Sequence, residues 1–399
     1  MKQGCGNNAM ITARFDEVFD LSLGRTPSRG VDAYWGGGHT WVSIADMSCG
    51  KYISETKERI TDKALVDSNI PIVKKGTVIM SFKLSIGKVC IADTDLYTNE
   101  AIMAFVPKPQ YDVLPEFLYY YLMCYKWNNS NEVVLGFTLN KKTISQSIVT
   151  IPSLAEQERI VGILDREFER IDALKANAER NLQHAKDLFQ SALKQELQPK
   201  EGWDTKPLSD ICVITSSKRI FKSEYVSDGI PFYRTKEVKE IANNLPISVE
   251  LYISNERYYE IKNKFGVPQI NDLLVSAVGT IGEIMVVTDD KPFYFKDGNL
   301  VWLKEIQGVH SWYLKYYLKS IIDDIKNMTR GAAYNALTIE KFQTMNICFS
   351  SIAEQEQIVA RLDKLKEHCS ALEENYTKTI ALCDDMKQAL LRKAFNGEL

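Results

Sequence analysis

The stretch Ser153-Leu-Ala-Glu-Gln-Glu-Arg-Ile-Val-Gly-Ile-Leu-Asp165 occurs twice in this chain of 399 residues. The second copy is Ser351-Ile-Ala-Glu-Gln-Glu-Gln-Ile-Val-Ala-Arg-Leu-Asp363, with nine of 13 positions identical at an offset of 198 residues. A repeat at a fixed offset indicates two copies of one structural unit. Each copy closes one half of the chain and opens a long pattern with helical spacing, so the repeat fixes the organisation of the whole sequence.

Both copies begin with the signals of a helix N-terminus. Ser153 and Ser351 each stand three residues before a glutamate, Glu156 and Glu354, which predicts a capping box at each helix start. A stripe with alternating steps of four and three residues follows, which is typical of a coiled-coil seam. In the first copy it comprises Ile160, Leu164, Glu167, Ile171, Leu174, Ala178, Asn181, Ala185, Leu188 and Ala192, and in the second Ile358, Leu362, Leu365, Cys369, Leu372, Tyr376, Thr379, Cys383, Met386 and Leu390.

Two interpretations of these long helices are open: each lies on a globular core, or the two helices pair with each other. Residues 153–197 would span roughly 65 Å as a helix, more than one face of an ordinary domain. The pattern therefore favours an antiparallel coiled coil with pseudo-twofold symmetry. The predicted domains are residues 1–152, a spacer helix over 153–199, residues 200–350 and a second spacer helix over 351–399.

The two halves share an order of elements that predicts an α+β fold of two similar mixed α/β domains. In the first half we expect a hairpin over 76–93, a strand over 101–107, an aromatic helix over 116–127 and a strand over 147–152. The matching segments of the second half are 272–288, 299–304, 312–322 and 345–350. The residues between these framework segments differ, which suggests two related sites with different ligands.

Composition excludes several classes of protein. No apolar run approaches the roughly 18 residues of a membrane span, and the N-terminus has no apolar signal region, so we expect a cytoplasmic protein without membrane contact. Eight cysteines without a Cys-x-x-Cys pair and four scattered histidines argue against a disulfide framework and against a metal site, and no cofactor is expected. Because the net charge is −3, a surface for DNA would require basic residues sorted to one face.

Several motifs together resemble the specificity subunit of type I restriction–modification systems. They are Gly24-Arg-Thr-Pro-Ser28, the Tyr34-Trp35 loop, Ser85-Ile-Gly-Lys88 and, most specifically, Ile151-Pro-Ser-Leu-Ala-Glu-Gln-Glu-Arg-Ile-Val161. The second copy departs from the pattern, with Phe349-Ser350 in place of Ile-Pro and Thr215-Ser-Ser-Lys-Arg219 in place of the threonine–proline–serine loop.

The resemblance implies a subunit with no chemistry of its own. Two target recognition domains would each read one part of a split target in double-stranded DNA, and the paired helices would set the spacing between them. The same helices would dock two adenine methyltransferase subunits, which motor–nuclease subunits would join. The chain has no Asn-Pro-Pro-Tyr or Asp-Pro-Pro-Tyr motif for methylation of an exocyclic amine and no Walker loop, which agrees with this implication.

Basic and amide side chains in loops are the candidates for DNA contacts, because cations bind phosphates and forked donors read base edges. We expect these contacts from Arg25, Arg29, Lys83, Lys141 and Lys142 in the first domain and from Arg219, Arg234, Lys236, Arg330 and Asn335 in the second. The alternative for each is a solvated surface charge. The glycine-rich segment Tyr34–Trp41 is expected to be an aromatic loop, either at this surface or as a lid on the core.

The faces that open the two helices are the candidates for docking of the methyltransferase. They carry Glu156, Gln157, Glu158, Glu354, Gln355 and Glu356. The alternative is that these residues only cap and solvate the helices. Two rival functions remain open: a coiled-coil adaptor that binds proteins and never touches nucleic acid, which the negative net charge favours, and an orphan subunit that binds DNA without enzymatic partners.

Overall fold

The computed structural model describes residues 10–83, 85–127, 139–328 and 337–399, and for residues 323–328 it describes the backbone only. The chain divides into two compact units. Unit 1 consists of Met1–Ala178 and Lys378–Leu399, and unit 2 of Glu179–Thr377. Each unit therefore contains one globular α/β domain and a part of both long helices.

The elements of unit 1 are, in chain order, β1 (Ile11–Arg14), α1 (Phe15–Val18), β2 (Phe19–Leu23), β3 (Trp35–Val42), β4 (Tyr52–Ile53), β5 (Glu58–Ile60), α2 (Asp62–Ser68), β6 (Val78–Ser81), β7 (Val89–Ala92), β8 (Tyr97–Thr98), β9 (Ile102–Pro107), α3 (Pro115–Cys124), α4 (Lys141–Gln146), β10 (Ile148–Ile151) and α5 (Leu154–Glu196). Its strands form a five-stranded sheet with the order β2-β9-β6-β7-β4, a three-stranded sheet β5-β3-β8 and the pair β1-β10.

The predicted hairpin and third strand of unit 1 are confirmed. Strand β6 pairs antiparallel with both β7 and β9, and every residue of β6 and β7 is buried. The predicted aromatic loop is wrong, because Trp35–Val42 forms β3 and pairs with β5 across a bulge between Trp35 and His39. Trp41 belongs to the core with 1% exposure, whereas Trp35 is half-buried.

The elements of unit 2 are, in chain order, β11 (Asp204–Pro207), α6 (Leu208–Ile211), β12 (Val213–Thr215), β13 (Tyr225–Val226), β14 (Ile230–Tyr233), α7 (Thr235–Ala242), β15 (Tyr252–Ile253), α8 (Asn255–Phe265), β16 (Leu273–Ser276), β17 (Ile284–Val286), β18 (Tyr294–Phe295), β19 (Leu300–Lys304), α9 (Ser311–Met328), α10 (Ile339–Gln343), β20 (Asn346–Phe349) and α11 (Ile352–Phe395). They repeat the framework of unit 1, with a four-stranded sheet β12-β19-β16-β17, a second four-stranded sheet β13-β15-β14-β18 and the pair β11-β20.

The two long helices pair within each unit. In unit 1, Lys175 of α5 bonds to Asp384 of α11 at 2.7 Å, and Lys387 forms an ion pair with Asp172. Because the residue number rises along one helix as it falls along the other, this pairing is antiparallel, as predicted. In unit 2 the end of α5 lies beside the start of α11, where Glu196 accepts two hydrogen bonds from Arg361, at 2.7 and 3.0 Å.

The buried seam of the helix pair follows only part of the predicted stripe. Ile171, Ala178 and Ala185 are buried as expected. Leu174, Leu188, Leu372 and Met386 are wrongly assigned to the seam, because they are 40–51% exposed. Phe168, Leu193 and Leu391 are buried and were not in the stripe. A straight α-helix has 3.6 residues per turn, whereas a strict seven-residue repeat needs 3.5. The buried face therefore rotates relative to the repeat and moves by one position along α5 and α11.

Each repeated stretch clamps the aromatic helix of its own unit. The buried side chain of Gln157 accepts a hydrogen bond from Leu114 N at 2.9 Å and donates to Asp112 O (2.9 Å) and Pro152 O (3.0 Å). At the end of the stretch, Tyr120 of α3 donates its hydroxyl proton to Asp165. These bonds fix the start of α5 against the start of α3.

Unit 2 has the same clamp at the corresponding residues. Gln355, also fully buried, accepts from His310 N at 2.7 Å and donates to Ser350 O at 2.7 Å and Gly308 O at 3.3 Å. Tyr316 donates to Asp363. The repeat is therefore conserved between the halves for a structural reason, since both copies hold an aromatic helix to a long helix.

The serine caps are confirmed in part. Ser153 Oγ accepts from Glu156 N and Ser351 Oγ from Glu354 N, both at 3.4 Å. The carboxylate of Glu156 bonds to Arg159 at 2.7 Å, whereas the capping box requires a bond back to the helix start.

Among the described residues, no helix combines the length and apolar character needed to cross a membrane.

Candidate nucleic-acid interface

Three segments of unit 1 converge at one end of the large sheet. The loop after β2 is held to the turn before β9 by Arg25 N, which donates to Thr98 O at 2.8 Å. Gly24 is required there, because an added Cβ would lie 1.9 Å from Thr98 O. The loop between β6 and β7 joins them through Phe82 N, which donates to Ala101 O at 3.0 Å. These loops form a common surface at the ends of β2, β6 and β9.

The same three segments converge in unit 2. Ser216 Oγ, after β12, donates to Leu300 O at 3.2 Å, and Ala277 N, after β16, donates to Asn299 O at 2.8 Å. Arg219 Nε bonds to Asp297 Oδ2 at 2.9 Å and so holds the first loop to the turn before β19. The chain thus presents two equivalent loop clusters on one duplicated framework.

A buried serine fixes the base of the central loop in each unit. Ser81 Oγ donates to Ser85 O at 2.5 Å and accepts from Lys88 N at 3.1 Å. Ser276 Oγ makes the equivalent bonds, to Thr280 O at 2.5 Å and from Glu283 N at 2.8 Å. A rigid loop base lowers the entropy lost when the loop binds a ligand.

The predicted DNA-contacting residues of the loop cluster in unit 1 lie on this surface. Arg29 stacks over Trp35, with its guanidinium carbon 4.0 Å from the ring centroid. It also bonds to Glu58, and the hydrogen bond to this carboxylate raises the pKa of Arg29. Lys83 is exposed and forms no ion pair with the described residues. Thr26 donates to Glu100, which lowers the pKa of Glu100, with Lys83 and Arg29 contributing by charge.

Two further cations of unit 1 are placed differently from the prediction. The sequence predicts Lys141 and Lys142 in a loop, but they form the first turn of α4, which Asn140 caps by accepting from Thr143 N at 2.9 Å. Both lysines are exposed and without an ion pair among the described residues. Arg25 is exposed and donates to Ser68 O at 3.3 Å.

The predicted cations of unit 2 are largely engaged with carboxylates. Arg234 bonds to the fully buried Glu237 at 2.7 Å and to Glu250 at 3.0 Å, and these partners, Glu237 first, raise its pKa. Lys236 pairs with Glu250. These bonds give Arg234 a structural role at the start of α7. Arg330 and Asn335 lie outside the described residues.

The predicted docking faces must be corrected at two positions. Gln157 and Gln355 are buried in the clamps and are not on an exposed face. Glu158 and Glu356 are exposed, whereas Glu156 and Glu354 are half-buried. Helical spacing alone did not reveal this, because an inward-facing glutamine and a solvated one look the same in a polar run.

Sequence reasoning missed two residues beside the loop cluster of unit 2. Lys239 on α7 and Asn299 before β19 line a cleft with the loop after β16. The alignment of Ser276 with Ser81 identified this loop in the sequence, but it gave no information about the helix packed against it.

In the described ranges, no group of three or more His, Cys, Asp or Glu side chains is arranged to hold a metal ion, and the seven cysteines there are free thiols.

The fold and the two loop clusters define a protein with two similar recognition modules and a long helix after each. The family model "Type I restriction modification DNA specificity domain" matches the chain twice, over residues 10–183 and 200–382. A type I restriction enzyme MjaIX specificity subunit from Methanocaldococcus jannaschii is 23% identical over 411 residues, covering 97% of this chain and 92% of that protein. The EcoBI specificity subunit from Escherichia coli is 24% identical over 70% of this chain and 64% of its own length.

Solved structures share this fold. A chain from a type I restriction–modification system, studied for its complex assembly and conformational transition, aligns with a TM-score of 0.77 at 20% identity and covers 98% of both chains. The HsdS subunit from Thermoanaerobacter tengcongensis aligns with a TM-score of 0.58 at 20% identity, over 98% of this chain and 97% of that one. The chain belongs to the type I restriction–modification DNA specificity family, which confirms the resemblance found in its sequence.

Proposed function

We propose that this specificity subunit directs a type I restriction–modification complex to a DNA target in two parts, with one part read by each unit. The observation that carries the proposal is the pair of equivalent loop clusters on a duplicated framework. The bonds of Ser81 and Ser276 at the base of the central loop are equivalent in the two units, whereas the exposed side chains on the loops differ. Two copies of one scaffold with different loops suit two different half-sites.

Exposed cations of unit 1 support this proposal in spite of the net charge of −3. Three exposed cations of unit 1 form no ion pair among the described residues: Lys83, Lys141 and Lys142. Such lysines can neutralise phosphates and release counterions from DNA. The chain itself would carry no methyl-transfer or cleavage chemistry, which would belong to its partner subunits.

The decisive experiment is co-expression with the methyltransferase of the same host, followed by mapping of methylated adenines. The proposal predicts a motif of two short specified sequences separated by unspecified bases. An adaptor that does not touch DNA would leave methylation independent of sequence around the modified adenine. A single uninterrupted motif would also contradict the assignment of one half-site to each unit.

The phosphate contacts have a separate test. Lys141→Ala with Lys142→Ala is expected to weaken binding to all DNA sequences and to reduce the slope of log K against log salt by up to about 2, since each lost phosphate contact contributes about 0.9. Lys262 on α8 is exposed and offers a matched control variant, Lys262→Ala. An unchanged slope in the double variant would remove both lysines from the phosphate footprint.

For the protein partners, we propose that methyltransferase subunits dock on the exposed faces of the long helices, with motor–nuclease subunits joining outside. Glu158 and Glu356 are exposed at equivalent positions, as are the apolar Leu174 (46%) and Leu372 (40%) farther along. Leu174 and Leu372 occupy the same place in the repeat, 198 residues apart, so one kind of partner surface fits both helices. Leu174→Asp with Leu372→Asp should abolish capture of the methyltransferase without loss of helix content, and undiminished capture would contradict docking at these positions.

A further inference from the structure

Unit 2 contains a cleft of about 590 Å³ between helix α7 and the loop that joins β16 to β17. Four residues of α7 line its helical side, and three residues line the opposite side: Thr235, Lys236, Lys239 and Glu240 on the helix, and Val278, Thr280 and Asn299 opposite. The cleft borders the loop cluster described above, because Asn299 is the residue whose carbonyl accepts from Ala277 N. It therefore opens on the surface that we assign to DNA.

Some polar groups of this cleft have no partner among the described residues, whereas Glu240 in the same lining accepts a hydrogen bond from Ser248 N at 3.0 Å. Lys239 is exposed and forms no ion pair among the described residues, in contrast to Lys236, which is paired with Glu250. The side chains of Asn299 and Thr280 make no hydrogen bond within the described part of the chain. The hydroxyl oxygen of Thr235 is buried and also has no partner there. A ligand in the cleft would supply the hydrogen bond that the buried Thr235 hydroxyl lacks. The exposed Lys239 and Thr280 and the half-buried Asn299 line the same cleft.

The cleft also contains apolar side chains, one of which belongs to a loop that is held in place. Val278 is 39% exposed and Leu245, from the segment after α7, is 52% exposed. The loop that carries Val278 and Thr280 is closed by Ser276 Oγ, and Gly279 and Gly282 in it have φ angles of +78° and +82°. Any other residue would be strained at these two positions. The cleft thus combines a fixed apolar surface with an amide and an ammonium group.

We propose that this cleft reads an A·T base pair of the second half-site. This inference rests on the DNA-reading function proposed above. The Asn299 amide matches the N6 and N7 edge of adenine, and the apolar Val278 matches the C5-methyl group of the paired thymine. Lys239 contacts a neighbouring phosphate and fixes the register. Only an A·T pair presents both the adenine edge and the methyl group in the major groove.

Unit 1 carries different chemistry at the equivalent positions. Strand pairing places Ser81 opposite Ile102 and Ser276 opposite Leu300, so Ala101 corresponds to Asn299. Lys83 follows Ser81 by two residues, as Val278 follows Ser276. Unit 1 therefore has a methyl group in place of the amide and an ammonium in place of the apolar contact. It follows that the two units select different bases with the same loops.

The test maps methylated adenines in cells that express the methyltransferase with the wild-type chain or with a variant. Asn299→Ala should lower selectivity at one position of one half-site by about 5- to 150-fold, the equivalent of 1–3 kcal/mol for a bidentate base contact. The other half-site should be read as before. Asn263 on α8 is exposed and outside the cleft, so Asn263→Ala is the matched control.

Two further variants make the test decisive. Asn299→Asp keeps the size of the side chain but can only accept hydrogen bonds, so the preferred base at that position should change from adenine to cytosine. Lys239→Ala should weaken binding to every sequence and reduce the salt slope by about 1, whereas Lys262→Ala should not. A melting temperature equal to that of the wild type shows that each variant folds.

The possible outcomes separate this inference from the proposed function. If the wild type yields a split motif and both Asn299 variants keep full selectivity at every position, the cleft does not read bases and the proposed function still stands. If the wild type yields no split motif, both fail. A change confined to one position of one half-site supports the inference.

Discussion

The buried glutamine of the first clamp allows a quantitative prediction. Gln157→Ala removes three neutral hydrogen bonds of 2.9–3.0 Å, to Leu114 N, Asp112 O and Pro152 O. Each such bond contributes about 1 kcal/mol, so we expect unit 1 to lose about 3 kcal/mol of unfolding free energy. For a unit of this size that corresponds to a fall in Tm of about 6–12 °C.

Glu158→Ala is the matched control, because Glu158 is the next residue in the same turn and is exposed. Its effect should stay within about 0.5 kcal/mol. Urea denaturation gives the stability of both variants, and amide hydrogen exchange locates the change, since the Leu114 amide should lose its protection in Gln157→Ala. Equal stability of the two variants, with Leu114 still protected, would refute the clamp.

Two other predictions concern unit 2. Glu237→Ala should destabilise the unit by about 1.5–3 kcal/mol, because the buried Glu237 accepts charge-assisted hydrogen bonds from Arg234, which keeps its bond to Glu250. Lys236→Ala, which removes an exposed pair, should cost at most about 1 kcal/mol. Equal urea midpoints for the two variants would contradict this reasoning. Burial lowers the pKa of Lys315 to about 8, with Lys366 and Lys319 acting in the same direction and Asp363 and Glu283 opposing. Since the ordinary pKa is 10.5, the unfolded chain binds more protons between about pH 8 and 10.5, so stability should rise with pH in that window. The rise should be smaller in Lys315→Met when denaturation is followed at pH 7 and pH 9.5, and an identical slope would exclude Lys315 as its source.

The order of elements and the long helices could be predicted from the sequence because they depend on local patterns. The alternating steps of four and three residues between apolar side chains after Ser153 and Ser351 predict helices. The structure has these helices over Leu154–Glu196 and Ile352–Phe395. The apolar runs around Ser81 and Ser276 predict buried strands, which are β6 and β16. Such features depend on residues that are near each other in the chain.

The seam and the docking faces could not be predicted with the same success. Whether Leu174 or Lys175 faces the partner helix depends on how far α5 has rotated over several turns, and a drift of about 20° per heptad decides it. The burial of Gln157 depends on carbonyl groups at Asp112 and Pro152 that only the tertiary fold brings near it. A glycine-rich segment became β3 because β5 supplied a partner strand, which local turn propensity does not reveal.

The sequence was sufficient to predict which loops form the candidate interface. It was not sufficient to predict which cations there lack a carboxylate partner. The sequence identified the segments around Arg25, Lys83 and Arg219, and all three lie in the loop clusters. It could not show that Arg234 is already bound to Glu237 while Lys239, one turn farther along, has no partner among the described residues. Which cations remain available for a ligand is decided by the carboxylates that folding places beside them.

The division of each long helix between the two units has a practical consequence for anyone who wishes to express one recognition module alone. A fragment that ends at Pro199 would lack the segment 378–399 and would expose Ile160, Leu164 and Phe168, which pack with Leu391 and Ala394 in the 399-residue chain. Such a fragment should aggregate or self-associate in the cell. Joining residues 378–399 through a flexible linker to the start of residues 10–178 would restore the missing apolar partner and yield a module suited to recombination with other readers.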